Sequence, residues 1–350
     1  MCLAKGLVGV LMYNLLWLQG TSCGGDTISV LNAEQPEILT ALQMLDVQLV
    51  WHPFLSPEGG REAAFLIENL AAGRQPLDVL VIEGAVQNGP KGTGRYFLLH
   101  GRPFRDWVLE LSRQAVHVIA IGTCACFGGI VTSGANLTEA VGLQYLHDKR
   151  GGLLGRDYVS RSGLPVINVP GCPAHSDWFI ETLTMTLFGK LDMSELDQFQ
   201  RPKVFFSKLA HHGCPRNEYY EFKASATEYT HQGCLFEFLG CKGTQCESDC
   251  NERLWLGRTG SCTRGGFPCI ACTSPRFPDA QRPYFETRKV GDIPTTLPLD
   301  VPKAWYVGIS GLSKMACPVR LKRNAISYRR VDVDTPQLNP IGGGHDTDNR

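Results

Sequence analysis

The 350-residue chain has no charge of either sign to spare: 34 Lys and Arg face 34 Asp and Glu, with a pI near 7.1. A surface built to hold nucleic acid or an anionic membrane would be expected to show a basic excess, which the chain as a whole lacks. It also lacks an apolar run of the roughly 20 residues a membrane-spanning helix needs, a twin-arginine pair near the start, and any internal repeat. Gly20–Asp26 fits neither the Walker spacing nor the dinucleotide-binding one, so that loop offers no phosphate cradle of known type. A carboxyl-terminal anchor is not expected either. The apolar start, Met1 to Trp17, has one lysine and no clear small-residue cleavage site, so it reads as the approach to a first strand rather than a secretory signal. These absences point to a cytoplasmic protein, with peripheral attachment to a membrane left open.

What the chain has in quantity is cysteine, fourteen in all, with 38 glycines and 21 prolines. A disulfide framework belongs to small secreted domains, and this chain is neither. Short, nearly continuous apolar runs at Tyr13–Leu18, Val47–Trp51, Val79–Glu83, Val116–Ile121 and Pro165–Val169 alternate with helical patterns at Glu37–Leu45, Arg61–Ala72, Phe104–Gln114 and Asp177–Phe188. That alternation predicts an α/β domain with a parallel sheet covered on both faces. After about Arg201 strands are hard to find and ten of the prolines fall between Pro202 and Pro318. Such a segment is expected to fold around something other than an apolar core. The expected division is a sheet domain over 1–200, a loop-rich domain over 201–290 and an extension over 291–350, disordered from about Gln337.

Three of the predicted strands run into cysteine-bearing glycine loops, at Cys23, at Cys124 and at Cys172. In an open parallel sheet ligands bind beyond the carboxyl ends of the strands, so the three loops can converge, and glycine lets backbone N–H groups approach sulfur. In the second half His211, Cys214, Cys234, Cys241, Cys246, Cys250, Cys262, Cys269 and Cys272 lie within about sixty residues. That is too many ligands for one zinc and enough for two four-ligand sites, either iron–sulfur clusters or a pair of zincs. His212 reads as a solvated neighbour of a ligand. Zinc has no redox chemistry, whereas several clusters along one chain have an evident use in electron transfer.

Taken in order, Leu16-Trp-Leu-Gln-Gly20 with Cys23, Glu83-Gly84, Ala120-Ile-Gly-Thr-Cys124, Val169-Pro-Gly-Cys-Pro173, His211-x-x-Cys214-Pro-Arg216, Gly233-Cys-Leu-Phe-Glu237, Leu239-Gly-Cys-Lys-Gly243 and Pro268-Cys-Ile-Ala-Cys272 resemble the small, electron-transferring subunit of nickel–iron hydrogenases. The resemblance runs from about Tyr13 to Phe285. It implies a flavodoxin-like domain carrying a proximal cluster and a loop-rich domain carrying medial and distal clusters. It places the proximal cluster on Cys23, Cys124 and Cys172, the medial on Cys250, Cys269 and Cys272, and the distal on His211, Cys214, Cys234 and Cys241. It also implies that hydrogen is split at a nickel–iron centre in a separate large subunit, so this chain would have no catalytic residue of its own. Electrons would pass through it to an acceptor, a quinone or an electron carrier. Dimers or larger assemblies of large–small pairs would suit the family, and no nucleic acid is expected as a partner.

Three departures sharpen this expectation. Asp26 stands where many members have a second cysteine; it could ligate iron through oxygen or could cap the following helix, with Cys126 as a competing ligand. Ligation is the preferred reading, and the substitution resembles the actinobacterial-type, oxygen-insensitive branch. Cys262 stands where members with a three-iron medial cluster usually have proline, so three 4Fe–4S clusters are expected. Cys234 and Cys241 are one residue further apart than in the commonest pattern, and the stretch beyond about Val290 has no counterpart. Cys2, Cys126, Cys246 and Cys317 fall outside the expected ligand set. The large subunit is expected against an exposed apolar edge at Glu83–Val86 and Phe127–Ile130. Two other readings compete: a quinone-reducing cluster subunit like that of complex I, which would need a tandem cysteine pair absent here, and a zinc-stabilised structural protein.

Overall fold

The computed structural model describes residues 12–329. Cys2 and the tail expected to be disordered lie outside them. Five strands form one parallel sheet: β1 (Tyr13–Gln19), β2 (Val47–Trp51), β3 (Val79–Glu83), β4 (His117–Ile121) and β5 (Ile167–Val169), in the order β5-β4-β3-β1-β2. All five residues of β3 are buried. This explains why the strands read as unbroken apolar runs: helices cover both faces, so there is no solvent side to alternate with.

One face is closed by α3 (Gly60–Ala71) and α4 (Phe104–Gln114), which bury Ile67, Leu70, Trp107, Val108 and Leu111 against Leu16, Leu18, Leu80 and Ile82. The other carries α1 (Gly25–Leu31), α2 (Ile38–Met44) and α6 (Ser176–Leu187), packed on Leu15, Trp17, Val79 and Val81. Between them α5 (Gly122–Phe127) leaves β4 without a linker. The sequence shows no helix there, because six residues opening on glycine are too few for a 3.6-residue period. The strand order reverses between β1 and β3, which puts the loops after β1, β3, β4 and β5 on one edge.

Beyond α7 (Lys203–Phe206) the chain is mostly turns, with α8 (Asn217–Glu221) and, past Val290, two helices that the sequence did not reveal: α9 (Lys303–Ala316) and α10 (Val319–Ala325). Their buried residues Tyr306, Leu321 and Ala325, with Cys317 between the helices, form a small core with Tyr219, Tyr220, Cys234 and Phe236. The expected docking edge is not an exposed apolar surface in this chain. Glu83–Val86 and Phe127–Gly129 are buried, because they continue central strands under α4 and the Thr21–Ala85 bridge, and only Ile130 is exposed.

Candidate metal centres and their surroundings

At the sheet edge the four expected proximal residues come together. Electrostatic coupling links Cys172 with Cys124, Asp26 and Cys23. Cys23 and Cys172 are exposed and Cys124 is half-buried, so the group opens toward the surface. Burial, followed by the neighbouring Cys124, Asp26 and Cys23, pushes the Cys172 thiol up to about 12. Crowded thiols of this kind reach the thiolate state only with a cation among them.

Asp26 is not a helix cap. The N-cap of α1 is Gly24, in the left-handed region at φ 75°, and no side chain caps the helix. Asp26 sits inside the first turn, buried, and accepts the Ala174 N–H at 2.7 Å from 148 residues away. Burial above all raises its carboxyl to about 7, the Ala174 N–H pulls it down, and Glu83 adds to the rise. Gly122 makes room for it: a Cβ there would lie 1.9 Å from Asp26 Oδ2, and its φ is +79°. Cys126 turns the other way, into the core beneath β4, where its thiol donates to the Ala120 carbonyl at 3.3 Å.

Glu83, fully buried at the end of β3, gathers four donors: Trp17 Nε1 at 3.2 Å, Gln19 Nε2 at 2.8 Å, Ser22 Oγ at 2.8 Å and Thr27 Oγ1. It therefore ties the Cys23 loop and α1 to the sheet. Glu83→Ala would leave those donors without their acceptor. Each buried unsatisfied group costs about 1–3 kcal/mol, so a loss of about 3 kcal/mol or more in the unfolding free energy is expected. A denaturant midpoint unchanged from the parent would contradict this.

The distal set is equally well gathered. His211, Cys214, Cys234 and Cys241 all line one small pocket, with Arg216, Asn217 and Tyr220. Backbone N–H groups point at the sulfurs: Arg216 N to Cys214 Sγ at 3.4 Å, Phe236 N to Cys234 Sγ at 3.4 Å and Cys269 N to Cys241 Sγ at 3.3 Å. N–H groups aimed at sulfur stabilise thiolate and tune a cluster that thiolates hold. The Arg216 side chain donates to the carbonyls of His231, Gly233 and Thr263, and the distal thiols lie close enough to stabilise its charge. The longer Cys234–Cys241 spacing does not remove Cys241 from the cavity. His212 is exposed and pairs with Asp300 at 2.8 Å, as expected of a neighbour.

The medial set holds one thiol more than expected. Cys250, Cys262 and Cys272 interact electrostatically with one another, and Cys269 interacts with Cys246 and Cys250. Cys246, left out of the expected set, is buried beside them. It packs with Cys269 and Ala271, stands 3.1 Å from Thr273 Oγ1, and couples to Cys250, Cys262 and Cys272. No spacing marked it. A hydrogen bond with Cys269 brings the Cys246 thiol down to about 7.

The medial residues also link the two other groups. Thr123 Oγ1 donates to the Cys272 carbonyl while accepting from Gly171 N–H at 3.0 Å, and the Cys172 backbone reaches the Cys272 sulfur. On the far side Cys269 N–H meets the distal Cys241. Among the described residues the trio whose ligand atoms approach within 4.8 Å is His211, His212 and Asp300; no three thiols are that close. Backbone donors aimed at the sulfurs suit iron–sulfur clusters.

A parallel flavodoxin-like sheet with thiols at its switch-point edge, followed by a thiol-lined loop domain, defines a class of iron–sulfur electron-transfer subunit. Comparison with known proteins narrows the class. The family described as "NADH ubiquinone oxidoreductase, 20 Kd subunit" matches residues 23–186, and the family of the carboxyl-terminal region of the NiFe/NiFeSe hydrogenase small subunit matches 206–285. The chain is 36% identical over 294 residues to the F420 non-reducing hydrogenase I small subunit of Methanosarcina mazei, covering 77% of this chain and 75% of that protein. It is 30% identical over 289 residues to the periplasmic [NiFeSe] hydrogenase small subunit of Desulfomicrobium baculatum, covering 77% and 86%. Among solved structures, the actinobacterial-type NiFe-hydrogenase from Ralstonia eutropha H16 superposes with a TM-score of 0.70 at 31% identity, over 87% of this chain and 90% of that one. The chain belongs to the nickel–iron hydrogenase small-subunit family. It is thus part of an oxidoreductase acting on hydrogen, in a family whose small subunits carry iron–sulfur clusters and pair with a large subunit.

Proposed function

We infer that this chain carries electrons away from a nickel–iron centre held by its large partner, through three 4Fe–4S clusters, to a quinone or electron carrier. The observation that supports this best is the double linkage of the medial residues: Cys272 touches the Cys172 loop on one side, and Cys269 touches Cys241 on the other. Each cluster would supply one-electron storage. The chain's part is to fix the order proximal, medial, distal and to hold the sulfurs with backbone donors.

The proximal group is Cys23, Asp26, Cys124 and Cys172. Asp26, buried over Gly122 and beside Cys124 and Cys172, brings a carboxylate oxygen to the three thiols, a donor set that iron would satisfy. Cys250, Cys262, Cys269 and Cys272 hold the medial group, with Cys246 as its buried neighbour. His211, Cys214, Cys234 and Cys241 hold the distal one. The actinobacterial-type match favours that branch. The cytoplasm and an assembly of paired heterodimers complete the reading.

The test is iron, zinc, nickel and acid-labile sulfide on the purified complex. About twelve irons in this chain, with equal sulfide and with nickel confined to the larger chain, is the expected result. Two or three zincs with negligible sulfide would overturn it. Gly122→Ala offers a local check: its methyl group would displace the Asp26 carboxylate, so the proximal cluster's electron paramagnetic resonance signal should change while the distal one stays. A proximal signal identical to the parent's would remove Asp26 from the ligand set.

A further inference from the structure

The stretch from Val301 to Val331 holds seven Lys and Arg and no Asp or Glu, in a chain whose totals balance. The rest of the chain therefore carries the matching acidic excess, and five of the seven basic residues lie on α9 and α10. α9 is fourteen residues long, about 21 Å, yet only Tyr306 is buried, with Ser310 and Ser313 half-buried on the same stripe. A separate face, about 120° round the helix, presents Trp305, Ile309, Leu312 and Met315, exposed by half to three-quarters. No acidic or amide side chain interrupts it. A helix of this length is marginal when it buries so little against its own chain, so a second surface is needed to cover it.

We propose that α9 and α10 form a docking surface for an anionic lipid bilayer, with the apolar face of α9 entering the interface and the basic residues meeting lipid phosphates. Apolar residues flanked by lysine and arginine are the pattern of helices that lie in a membrane interface. Lys303 is exposed at the start of α9, and Lys322 and Arg323 are exposed on α10. Lys314 and Arg320 reach Glu237 and Glu218 within the chain. A second copy of the chain is a poorer occupant, since it would set two wholly basic segments against each other. Among the described residues no helix is long and apolar enough to cross a membrane, so the surface lies on the bilayer rather than through it.

The placement gives the surface a use that rests on the electron-relay reading. Tyr306, Cys317 and Leu321 pack with the distal Cys234, Gly233 N–H bonds the Ala325 carbonyl at 3.0 Å, and Asp300 lies against His211 and His212. A bilayer beneath α9 would hold the exit site close to a lipid-soluble acceptor.

The test is co-sedimentation of the purified large–small complex with vesicles of phosphatidylcholine alone or mixed equally with phosphatidylglycerol. The complex should follow the anionic vesicles and leave the neutral ones, with binding weakened by salt. Lys322→Glu and Arg323→Glu should each lower vesicle affinity about fivefold or more, and Leu312→Glu should abolish binding. All three sites are exposed, so hydrogen-driven reduction of a soluble viologen dye should be unchanged. Absent or charge-independent sedimentation would overturn the proposal, as would variants that bind like the parent. A complex that ignores vesicles but splits into smaller species on Leu312→Glu would assign the face to self-association and equally overturn it. Loss of dye reduction in the unmodified complex would instead count against the relay reading.

Discussion

Arg201→Ala should cost about 3–5 kcal/mol of stability, the range for stranding one partner of a buried ion pair. Arg201 is 1% exposed, yet it lies between the sheet domain and the thiol-rich loops. Its Nε donates to Asp197 at 2.7 Å, Nη2 to Glu247, and Nη1 to the Thr273 carbonyl at 3.3 Å. The guanidinium also stands over the rings of Phe199 and Phe206, at 5.3 and 5.4 Å. Thr273 follows Cys272 and Glu247 follows Cys246, so one side chain fastens the medial segment to the core under β5. Glu247 is more than a third exposed and can turn to water, which favours the lower end of the range. Arg201→Lys keeps the charge but not the fork of donors, and should lose about half as much. Denaturant unfolding of the purified protein reads both changes. A loss below about 1 kcal/mol for alanine would mean that the junction is held elsewhere.

Cys262→Pro should convert the medial cluster from four irons to three, visible as a 3Fe–4S signal in the oxidised protein and absent from the parent. Cys262 is coupled to Cys246, Cys250 and Cys272 and is exposed, so its replacement removes little packing. Cys246 makes the experiment discriminating. It is buried, stands 3.1 Å from Thr273 Oγ1 and bonds to Cys269, which suits a thiol that supports a ligand. Cys246→Ala should therefore retain a four-iron medial cluster while shifting its midpoint potential, because a hydrogen bond to a ligand sulfur is lost. The opposite pair of results, a three-iron signal from Cys246→Ala and none from Cys262→Pro, would exchange the two assignments.

Much of the sheet domain could be read from sequence because its signals are local. Val47–Trp51 and Val79–Glu83 are strands over the expected residues, and Phe104–Gln114 is the expected helix. A strand buried on both faces must be apolar throughout, and an amphipathic helix must repeat its apolar residues at i, i+3 and i+4. The cysteine motifs were legible for a similar reason: a glycine turn, a thiol and a strand end are adjacent in the chain. Order and spacing alone were enough to suggest the family.

Tertiary structure decided everything that depends on residues far apart in sequence. Asp26 could have been a helix cap until α1 placed it in the first turn, facing Ala174 and the space over Gly122. Cys126 and Cys246 have the same chemistry and comparable motifs, yet one points into the sheet core and the other lies among the medial thiols. Nor could composition show that five basic residues past Val301 lie on two helices packed by the distal group, because a net charge of zero hides where each sign is placed. Strands and amphipathic helices were legible because each depends on neighbours along the chain, and the thiol-bearing motifs were legible for the same reason. Which thiol faces which, and in what order the three groups touch, depends on contacts between residues distant along the chain, and only packing selects among those.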